Sequence, residues 1–170
     1  MIINMSDILS REGSCENMKV EIEFDSFDSK LGKYDIVDKS LVDLTLTNKG
    51  ADKVLIEALA NLSINIPCAR CLENVKTDFN LSFSKEYDFG KEDEESESGY
   101  VIGYNLDVDK IVYSEILVNW PFKVLCSEDC KGICNCCGIN LNQGACDCQR
   151  TQLDPRMAVI QDIFKEFKEV

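Results

Sequence analysis

Histidine is absent from the 170 residues of this chain. Its absence excludes acid–base catalysis by imidazole, and any zinc site must then use thiolates or carboxylates as ligands. The sequence also lacks a serine nucleophile elbow and a phosphate-binding glycine loop, two motifs that indicate an active site. No feature of the sequence therefore supports an enzyme.

Long apolar segments and basic residues are scarce as well. No apolar stretch approaches the roughly 20 residues of a membrane-spanning helix, and the opening MIINMSDILSREG lacks the basic and apolar regions of a secretory signal. Only 18 Lys and Arg residues stand against 31 Asp and Glu, which gives a net charge of −13. We therefore expect a cytoplasmic protein without membrane contact. We also expect no strong RNA binding by this chain alone, because phosphate neutralisation dominates such binding.

The middle of the sequence carries a pattern of alternating apolar residues. Every second position from Val54 to Ile66 is apolar, which is the period of a half-buried strand. Similar alternation predicts strands at 75–83, 41–48 and 18–27. Alternation with one apolar side is typical of an antiparallel sheet that exposes one face to solvent.

Two helices are predicted downstream of these strands. The first begins at the potential N-cap Asp107 and ends before Pro121. Its predicted buried face consists of Val108, Ile111, Val112, Ile116 and Leu117. The second begins at Asp154 and Pro155, a strong start signal, and its apolar stripe runs through 157–167.

The order of these elements predicts an α+β fold. Strands come first, followed by an acidic loop at 90–99, a helix, a cysteine-rich stretch and a second helix. We predict one domain over 1–170 with an antiparallel sheet, open or barrel-like, and two main helices. A metal-binding module at 126–148 is expected within it.

Ten cysteines are the main candidates for chemistry. In a cytoplasmic protein they serve more often as reduced metal ligands than as disulfides. The candidate ligands at the C-terminal side are Cys126, Cys130, Cys134, Cys137, Cys146 and Cys148. The C-x-x-C-G sequence at 134–138 has the spacing and the turn glycine of a thiolate zinc site. A further C-x-x-C pair, Cys68 and Cys71, ends the long alternating strand.

The number of metal ions stays open at this point. Four of the six C-terminal cysteines suffice for one site, which is the simplest interpretation. Eight thiols would instead hold two ions if the pair at 68/71 joined the pair at 126/130. Zinc is favoured over an iron–sulfur cluster because a compact pair–loop–pair arrangement is typical of zinc. Cys15 is expected to be a free thiol without a role, and Cys136 to be incidental.

Two other uses of the cysteines are less well supported. The pair at 68/71 has the spacing of a redox motif, but such motifs lie near a βαβ pattern, and here the pair follows an antiparallel-type strand. The stretch 126–148 has no aromatic residue to stack on a base and carries three acidic residues against one lysine. This composition disfavours a nucleic-acid knuckle.

The segments PCARCLENV, LCSEDCKGICNCCGINLNQGACDC and LDPRMAVIQDI together resemble the YceD family, the large ribosomal RNA subunit accumulation proteins. The N-terminal INMSDIL and the strand block are similar to that family too, and Cys136 is an extra thiol relative to its usual pattern. The resemblance implies a non-catalytic role in accumulation or processing of the 23S rRNA precursor. It also implies a bacterial cytoplasmic or an organellar protein.

An acidic protein in that role is expected to bind a basic partner, such as a ribosomal or rRNA-processing protein, and no small-molecule substrate. Direct RNA contact through a limited patch is the alternative. Its candidate residues, whose simpler interpretation is solvated charge, are Arg70, Lys76, Lys123, Arg150 and Arg156. Two other functions stay open: a thiol–disulfide oxidoreductase using Cys68 and Cys71, and a structural zinc protein unrelated to ribosomes.

Overall fold

The computed structural model describes residues 1–30, 32–90 and 99–148. In chain order its elements are β1 (Ile2–Asn4), α1 (Ser6–Leu9), β2 (Cys15–Val20), β3 (Ser26–Ser29), β4 (Gly32–Lys39), β5 (Val42–Gly50), β6 (Lys53–Pro67), β7 (Asn74–Asp88), β8 (Val101–Ile102), β9 (Asn105–Asp107) and α2 (Val108–Val118). The fold is dominated by antiparallel sheet, so the α+β prediction is confirmed only in part. The helix predicted from Asp154 and most of the loop predicted at 90–99 lie outside the described residues.

Strand β6 is the centre of the larger sheet. Strand β7 pairs with all of it, from Lys53 opposite Asp88 to Pro67 opposite Asn74. Strands β5 and β4 therefore share the other edge of β6, with β2 beside β5 and β3 beside β4. No pairing among the described strands closes this sheet into a barrel. A smaller sheet has the order β1, β9, β8.

The predicted alternation decides which side of the sheet is buried. All seven apolar residues at every second position from Val54 to Ile66 are buried. The predicted strands at 41–48 and 75–83 are confirmed as β5 and β7. Their buried apolar residues lie on the same side of the sheet as those of β6, because they are paired with them across the strands, as Leu44 is with Ala58 and Phe79 with Leu62.

The strand predicted at 18–27 is split, and β4 was not predicted. Strand β2 pairs with β5, whereas β3 pairs with β4, so the chain leaves one partner strand to reach the other. Ile22 is still buried between the two strands, which explains the continuous apolar pattern. Strand β4 has a weak pattern because its Tyr34 and Ile36 are only half-buried.

Helix α2 covers the apolar side of the sheet. The Asp107 side chain accepts a hydrogen bond from the Lys110 backbone N–H at 3.3 Å, as expected of an N-cap. Four of the five residues predicted for its buried face are buried, but Leu117 is 46% exposed because it lies about 100° around the helix from Ile116. Beyond the helix, Trp120 stacks on the buried Phe27 ring at 5.1 Å. No helix in the described part of the chain is long and apolar enough to cross a membrane.

One ion pair joins the helix to the sheet inside the core. Lys85 on β7 places its Nζ 2.5 Å from a carboxylate oxygen of Glu115 on α2. The Glu115 side chain is only 9% exposed and that of Lys85 is 31% exposed. The Lys85 ammonium also lies 5.4 Å from the ring centre of Tyr100. The buried carboxylate is thus paired with the Lys85 ammonium.

Asn48 holds the short helix α1 against the end of β5. Its side-chain Nδ2 donates to the backbone carbonyls of Ile8 and Arg11, both at 3.0 Å, and to that of Leu9 at 3.2 Å. Its Oδ1 accepts from the Gly50 N–H at 2.8 Å. The residue is 5% exposed, so these groups have little water to replace a lost partner.

Replacing Asn48 by alanine is therefore expected to cost about 2–3 kcal/mol in the free energy of unfolding, because several buried groups lose their hydrogen bonds. Urea unfolding followed by the fluorescence of Trp120 measures this. Asn17→Ala is the matched control, since its amide hydrogen bond to Thr45 is exposed, and we expect a change within about 0.5 kcal/mol. Equal effects of the two substitutions would show that the buried hydrogen bonds of Asn48 stabilise the fold no more than the exposed one of Asn17.

Candidate metal centres

Eight of the ten cysteines form two groups of four in the structure. The first cluster consists of Cys68, Cys71, Cys126 and Cys130, and the second cluster of Cys134, Cys137, Cys146 and Cys148. Within each cluster all sulfur atoms lie within 4.8 Å of one another. Cys15 and Cys136 belong to neither group, and both are exposed.

The six C-terminal candidates are thus divided between the two clusters. Cys126 and Cys130 lie beside the 68/71 pair, the arrangement considered above as the two-ion alternative. The other four form a set of their own. How many ions this chain binds stays a prediction, as does the extent of the predicted domain and of its cysteine-rich module.

The β6–β7 hairpin positions half of the first cluster. The last residue pair of the hairpin is Pro67 opposite Asn74, and the turn between them carries Cys68 and Cys71. Cys68 is fully buried and Cys71 is 5% exposed. The segment after α2 runs alongside this turn, because the Ala69 N–H donates to the Val124 carbonyl at 2.9 Å. That contact brings the following cysteines to the hairpin.

The turn at the hairpin tip forms a specific hydrogen-bonded knuckle. The Cys68 N–H donates to the Glu73 carbonyl at 2.8 Å, and the Leu72 N–H donates to the Cys68 carbonyl at 3.0 Å. The Arg70 N–H points at the Cys68 sulfur at 3.4 Å. Leu72 has a φ of 64°, in the left-handed region. The chain thus turns tightly around a sulfur atom that accepts a backbone hydrogen bond.

The second C-x-x-C pair repeats this pattern residue by residue. The Cys134 N–H donates to the Ile139 carbonyl at 2.9 Å and the Gly138 N–H to the Cys134 carbonyl at 2.8 Å. The Cys136 N–H lies 3.4 Å from the Cys134 sulfur. Gly138, with a φ of 74°, occupies the position that Leu72 holds in the first knuckle. Cys136 contributes its backbone here, so its thiol is not required by the turn.

Arg70 connects the first knuckle to the chain that follows Cys126. Its guanidinium donates to the backbone carbonyls of Glu128 at 3.1 Å and Cys130 at 2.8 Å. Its own carbonyl accepts from the Ile133 N–H at 3.1 Å. One guanidinium nitrogen of the exposed Arg70 thus makes internal contacts, which weakens its candidacy as an RNA contact.

Two of the other basic candidates lie within the described residues. Lys76 pairs with Asp38, and Lys123 is exposed. Arg150 and Arg156 lie outside the described residues.

Gly132 lies where two backbone segments approach closely. A Cβ added at this position would stand 3.0 Å from the Arg70 carbonyl oxygen, and the residue has a φ of 78°. Gly138 has a similar φ, but a Cβ there would meet nothing within 4 Å. The two glycines share the backbone requirement, and only Gly132 adds a steric one.

Gly132→Ala is expected to destabilise the protein by about 2–3 kcal/mol, the sum of left-handed strain and a forced shift of a hydrogen-bonded carbonyl. Gly138→Ala, the control, carries only the strain and should cost about 1 kcal/mol. Urea unfolding at a fixed free zinc concentration compares the two. If Gly132→Ala lowered the free energy of unfolding no more than Gly138→Ala, the Arg70 carbonyl would be able to move aside without a measurable cost.

The sulfur spacing matches four ligands around one metal ion. Cys68 and Cys130 have their sulfurs 3.8 Å apart, and Cys71 and Cys126 have theirs 3.5 Å apart. Sulfurs at about 2.3 Å from a tetrahedral zinc ion are about 3.8 Å from each other. A disulfide would need about 2.05 Å. The first cluster therefore fits a tetrahedral thiolate site, and the donor set is one that suits zinc.

The pKa values of the cysteines differ strongly within each cluster. The backbone N–H groups of Cys71 and Arg70 lower the pKa of Cys68 to about 6. For Cys71, the Glu73 N–H lowers the pKa, but burial and the neighbouring sulfurs outweigh it and raise the pKa to about 12. The pKa of Cys130 is lowered as well, chiefly by the hydrogen bond from the Asn142 side chain. Because the pKa of Cys71 is raised, all four thiolates are disfavoured together without an added positive charge.

The same division recurs in the second cluster. The backbone N–H groups of Cys137 and Cys136 lower the pKa of Cys134 to about 6. The Cys137 side chain, followed by burial, raises the pKa of Cys148 to about 12. A bound divalent cation would supply the charge that allows all four thiolates to coexist.

Asn142 contacts the first cluster, and the sequence patterns did not identify it as part of a site. Its Nδ2 donates to the Cys130 sulfur at 3.2 Å, and its Oδ1 accepts from the Lys131 N–H at 2.7 Å. Asn142 thus belongs to the shell around the first cluster although it lies in the loop of the second. Its twelve-residue separation from Cys130 left no local signal for this contact.

Comparisons with known proteins place these cysteines in a described family. The family model described as "Large ribosomal RNA subunit accumulation protein YceD" matches residues 56–164, which include all eight clustered cysteines. No solved structure matches the chain.

Several curated proteins are similar over part of the chain. An uncharacterized protein of Mycobacterium tuberculosis is 27% identical over 101 residues, which cover 56% of this chain and 48% of that protein. The uncharacterized protein YlbN of Bacillus subtilis is 29% identical over 104 residues, covering 59% of this chain and 60% of YlbN. The "Large ribosomal RNA subunit accumulation protein YCED homolog 1, chloroplastic" of Arabidopsis thaliana is 24% identical over 133 residues, covering 60% of this chain and 41% of the homolog.

This chain spans about half the length of the curated relatives that it matches. The family match nevertheless covers well over half of the chain, from the central strand through both clusters. The chain therefore belongs to the YceD family, the family described as large ribosomal RNA subunit accumulation proteins.

Proposed function

We propose that this protein is a non-catalytic factor that promotes accumulation or processing of the 23S rRNA precursor and acts through protein partners. The observation that carries this proposal is the family match over 56–164. The sequence contains no histidine, so acid–base catalysis by imidazole is excluded. The proposed role is therefore one of binding and assembly.

Both clusters are proposed to hold a structural zinc ion. The first would be bound by Cys68, Cys71, Cys126 and Cys130, and the second by Cys134, Cys137, Cys146 and Cys148. Zinc supplies strong metal–sulfur bonds that stabilise a small segment with little apolar core of its own. Among the described residues, the apolar side chains packed against the first cluster are the partly buried Val75 and Leu125. Metal ligation would thus replace a hydrophobic core in this part of the molecule.

The partner is proposed to be a basic protein of the ribosome or of rRNA processing. With a net charge of −13 the chain repels a polyanion and attracts a cationic surface. In a pull-down from cell extract, the expected basic partners should stay bound after RNase treatment. Their loss on digestion would instead show that RNA mediates the association.

The central test measures 23S rRNA in cells that lack this protein. We expect 23S rRNA precursor levels to be altered and the mature 23S rRNA to fall relative to 16S, with recovery on expression of the wild-type chain. Normal 23S rRNA levels in the deletion strain would remove the proposal. The Cys136→Ser chain should complement fully, because that thiol belongs to neither cluster.

The oxidoreductase alternative draws support from the lowered pKa of Cys68, which a reactive thiol needs. Burial opposes it, since the Cys68 side chain has no exposed surface. Cys126→Ser separates the two functions. A redox pair at 68/71 tolerates that change, whereas a four-thiolate centre does not, so Cys126→Ser and Cys71→Ser should fail equally in complementation.

A further inference from the structure

The loop of the second cluster reaches onto the first cluster. Residues 138–145 connect the two ligand pairs of the second cluster, and Asn142 lies in their middle. Its Oδ1 accepts from the Lys131 N–H at 2.7 Å, which directs its Nδ2 to the Cys130 sulfur at 3.2 Å. A ligand atom of one cluster is thus a hydrogen-bond acceptor for the loop of the other.

The conformation of that loop depends on its two ends. Asn140 organises its middle, because its Oδ1 accepts from the Asn142 N–H at 2.9 Å and its carbonyl accepts from the Gly144 N–H at 3.2 Å. The Leu141 N–H donates to the Gly132 carbonyl at 2.8 Å. Such short exposed turns persist when their ends are held, and a metal ion on the second cluster would hold them.

The chain between the clusters is shorter still, and it too contacts the first knuckle. Three residues separate Cys130 from Cys134, and two of them contact Arg70 of the first knuckle. The Ile133 N–H donates to the Arg70 carbonyl at 3.1 Å, and Gly132 passes against that same carbonyl. A displacement of the first knuckle would therefore move the first ligand of the second cluster.

We propose that the two clusters bind metal as a coupled pair, in which a loaded second cluster strengthens binding at the first and Asn142 is the positioning residue. This inference rests on the metal binding proposed above. An N–H···S hydrogen bond stabilises the negative charge on a ligating thiolate and fixes its direction, and loss of such outer partners typically weakens metal binding about 10–100-fold. Coupling of this kind is reciprocal, so the first ion must strengthen the second by the same factor.

The experiment uses the full reduced chain, stripped of metal and titrated with zinc against a competing chelator. Mass spectrometry after alkylation shows which cysteines are protected at each free zinc concentration, and so reports each cluster separately. Circular dichroism verifies that the sheet of every variant is folded. The first comparison is between the wild type and Cys146→Ser/Cys148→Ser, which lacks two ligands of the second cluster.

We expect the wild type to bind two zinc ions and the double-serine variant to bind one, at the first cluster, about 10–100-fold more weakly. Equal affinity of the first cluster in both chains would overturn the coupling while leaving two independent zinc ions and the proposed function intact. A wild-type chain that binds no zinc would overturn both the coupling and the metal assignment.

Asn142→Ala should lower the zinc affinity of the first cluster by a similar factor in the wild-type background. In the double-serine background it should lower that affinity little further. Asn142→Asp keeps the acceptor for Lys131 but loses the donor to Cys130. Its first cluster should therefore bind zinc at least as weakly as that of Asn142→Ala. Asn135→Ala removes an exposed amide from the second knuckle and serves as the matched control. If Asn142→Asp or Asn142→Ala bound zinc like the wild type, Asn142 would have no positioning role.

Discussion

Chelation of metal from the reduced protein is expected to release the turn at 68–73 and the segment 124–148 while the sheet stays folded. The physical reason is that the described residues form two separate buried groups. The large core contains the inward residues of the sheet and α2, and a small second group surrounds the first-cluster sulfurs. Only the second group depends on the proposed ions.

Hydrogen exchange of backbone amides measures this release. The Ala69 and Ile133 N–H groups connect the hairpin tip to the following segment, so both should lose protection by about a thousandfold or more, as expected where metal supplies the folding energy. The Leu46 N–H, on a strand inside the main core, should keep its protection. Cys15→Ser is a matched control, since that exposed thiol lies outside both clusters.

Unchanged protection of Ala69 and Ile133 after chelation would show that hydrogen bonds alone hold the segment. Loss of protection throughout β5 and β6 would contradict the prediction as well, because the folding of the sheet would then depend on the metal. Cys71→Ser, which removes a ligand of the first cluster only, should lower the protection of Ala69 and Ile133 in the same direction without any chelator. That agreement distinguishes a ligand effect from side effects of the reagent.

The second large effect is expected at the ion pair between β7 and α2. Lys85→Met leaves the Glu115 carboxylate buried without its cation, which should cost about 3 kcal/mol. This is the low end for such losses, because Lys85 keeps partial exposure in the folded protein. The double variant Lys85→Met/Glu115→Leu removes both charges and should lie within about 1 kcal/mol of the wild type.

Urea unfolding followed by Trp120 fluorescence provides the measurement, since this residue stacks in the core beside the helix end. A double variant as unstable as Lys85→Met would show that the cost comes from lost packing and not from the unpaired charge. Lys53→Met is the control on the same hairpin. Its exposed pairing with Glu86 is well solvated, so the urea midpoint should move far less.

Local patterns predicted the parts of this fold that depend on local physics. The alternation in β6 and the N-cap at Asp107 follow from burial on one face and from capping, and both are confirmed. Strand β4 escaped prediction because it pairs with only part of β6, with a register shift between Ile36 and Asp38, so little of it is buried. Tertiary context determined that strand.

The grouping of the cysteines shows the same limit. Spacing identified every member of both clusters as a potential ligand. The choice between one site and two depended on whether the segment after α2 passes the hairpin tip, which is a long-range consequence of how the helix packs. Leu72 gave no sign of its left-handed turn, since glycine is the usual signal for that conformation.

The separation of the ligands along the chain has a consequence for the order of assembly during synthesis. Cys68 and Cys130, which share the first cluster, are 62 residues apart, whereas the second cluster is contained within 134–148. Closing the longer loop costs more chain entropy, because that loop is about four times as long. The first C-x-x-C pair would leave the ribosome well before its partners exist, so nascent chains should expose two unligated thiols until α2 has docked.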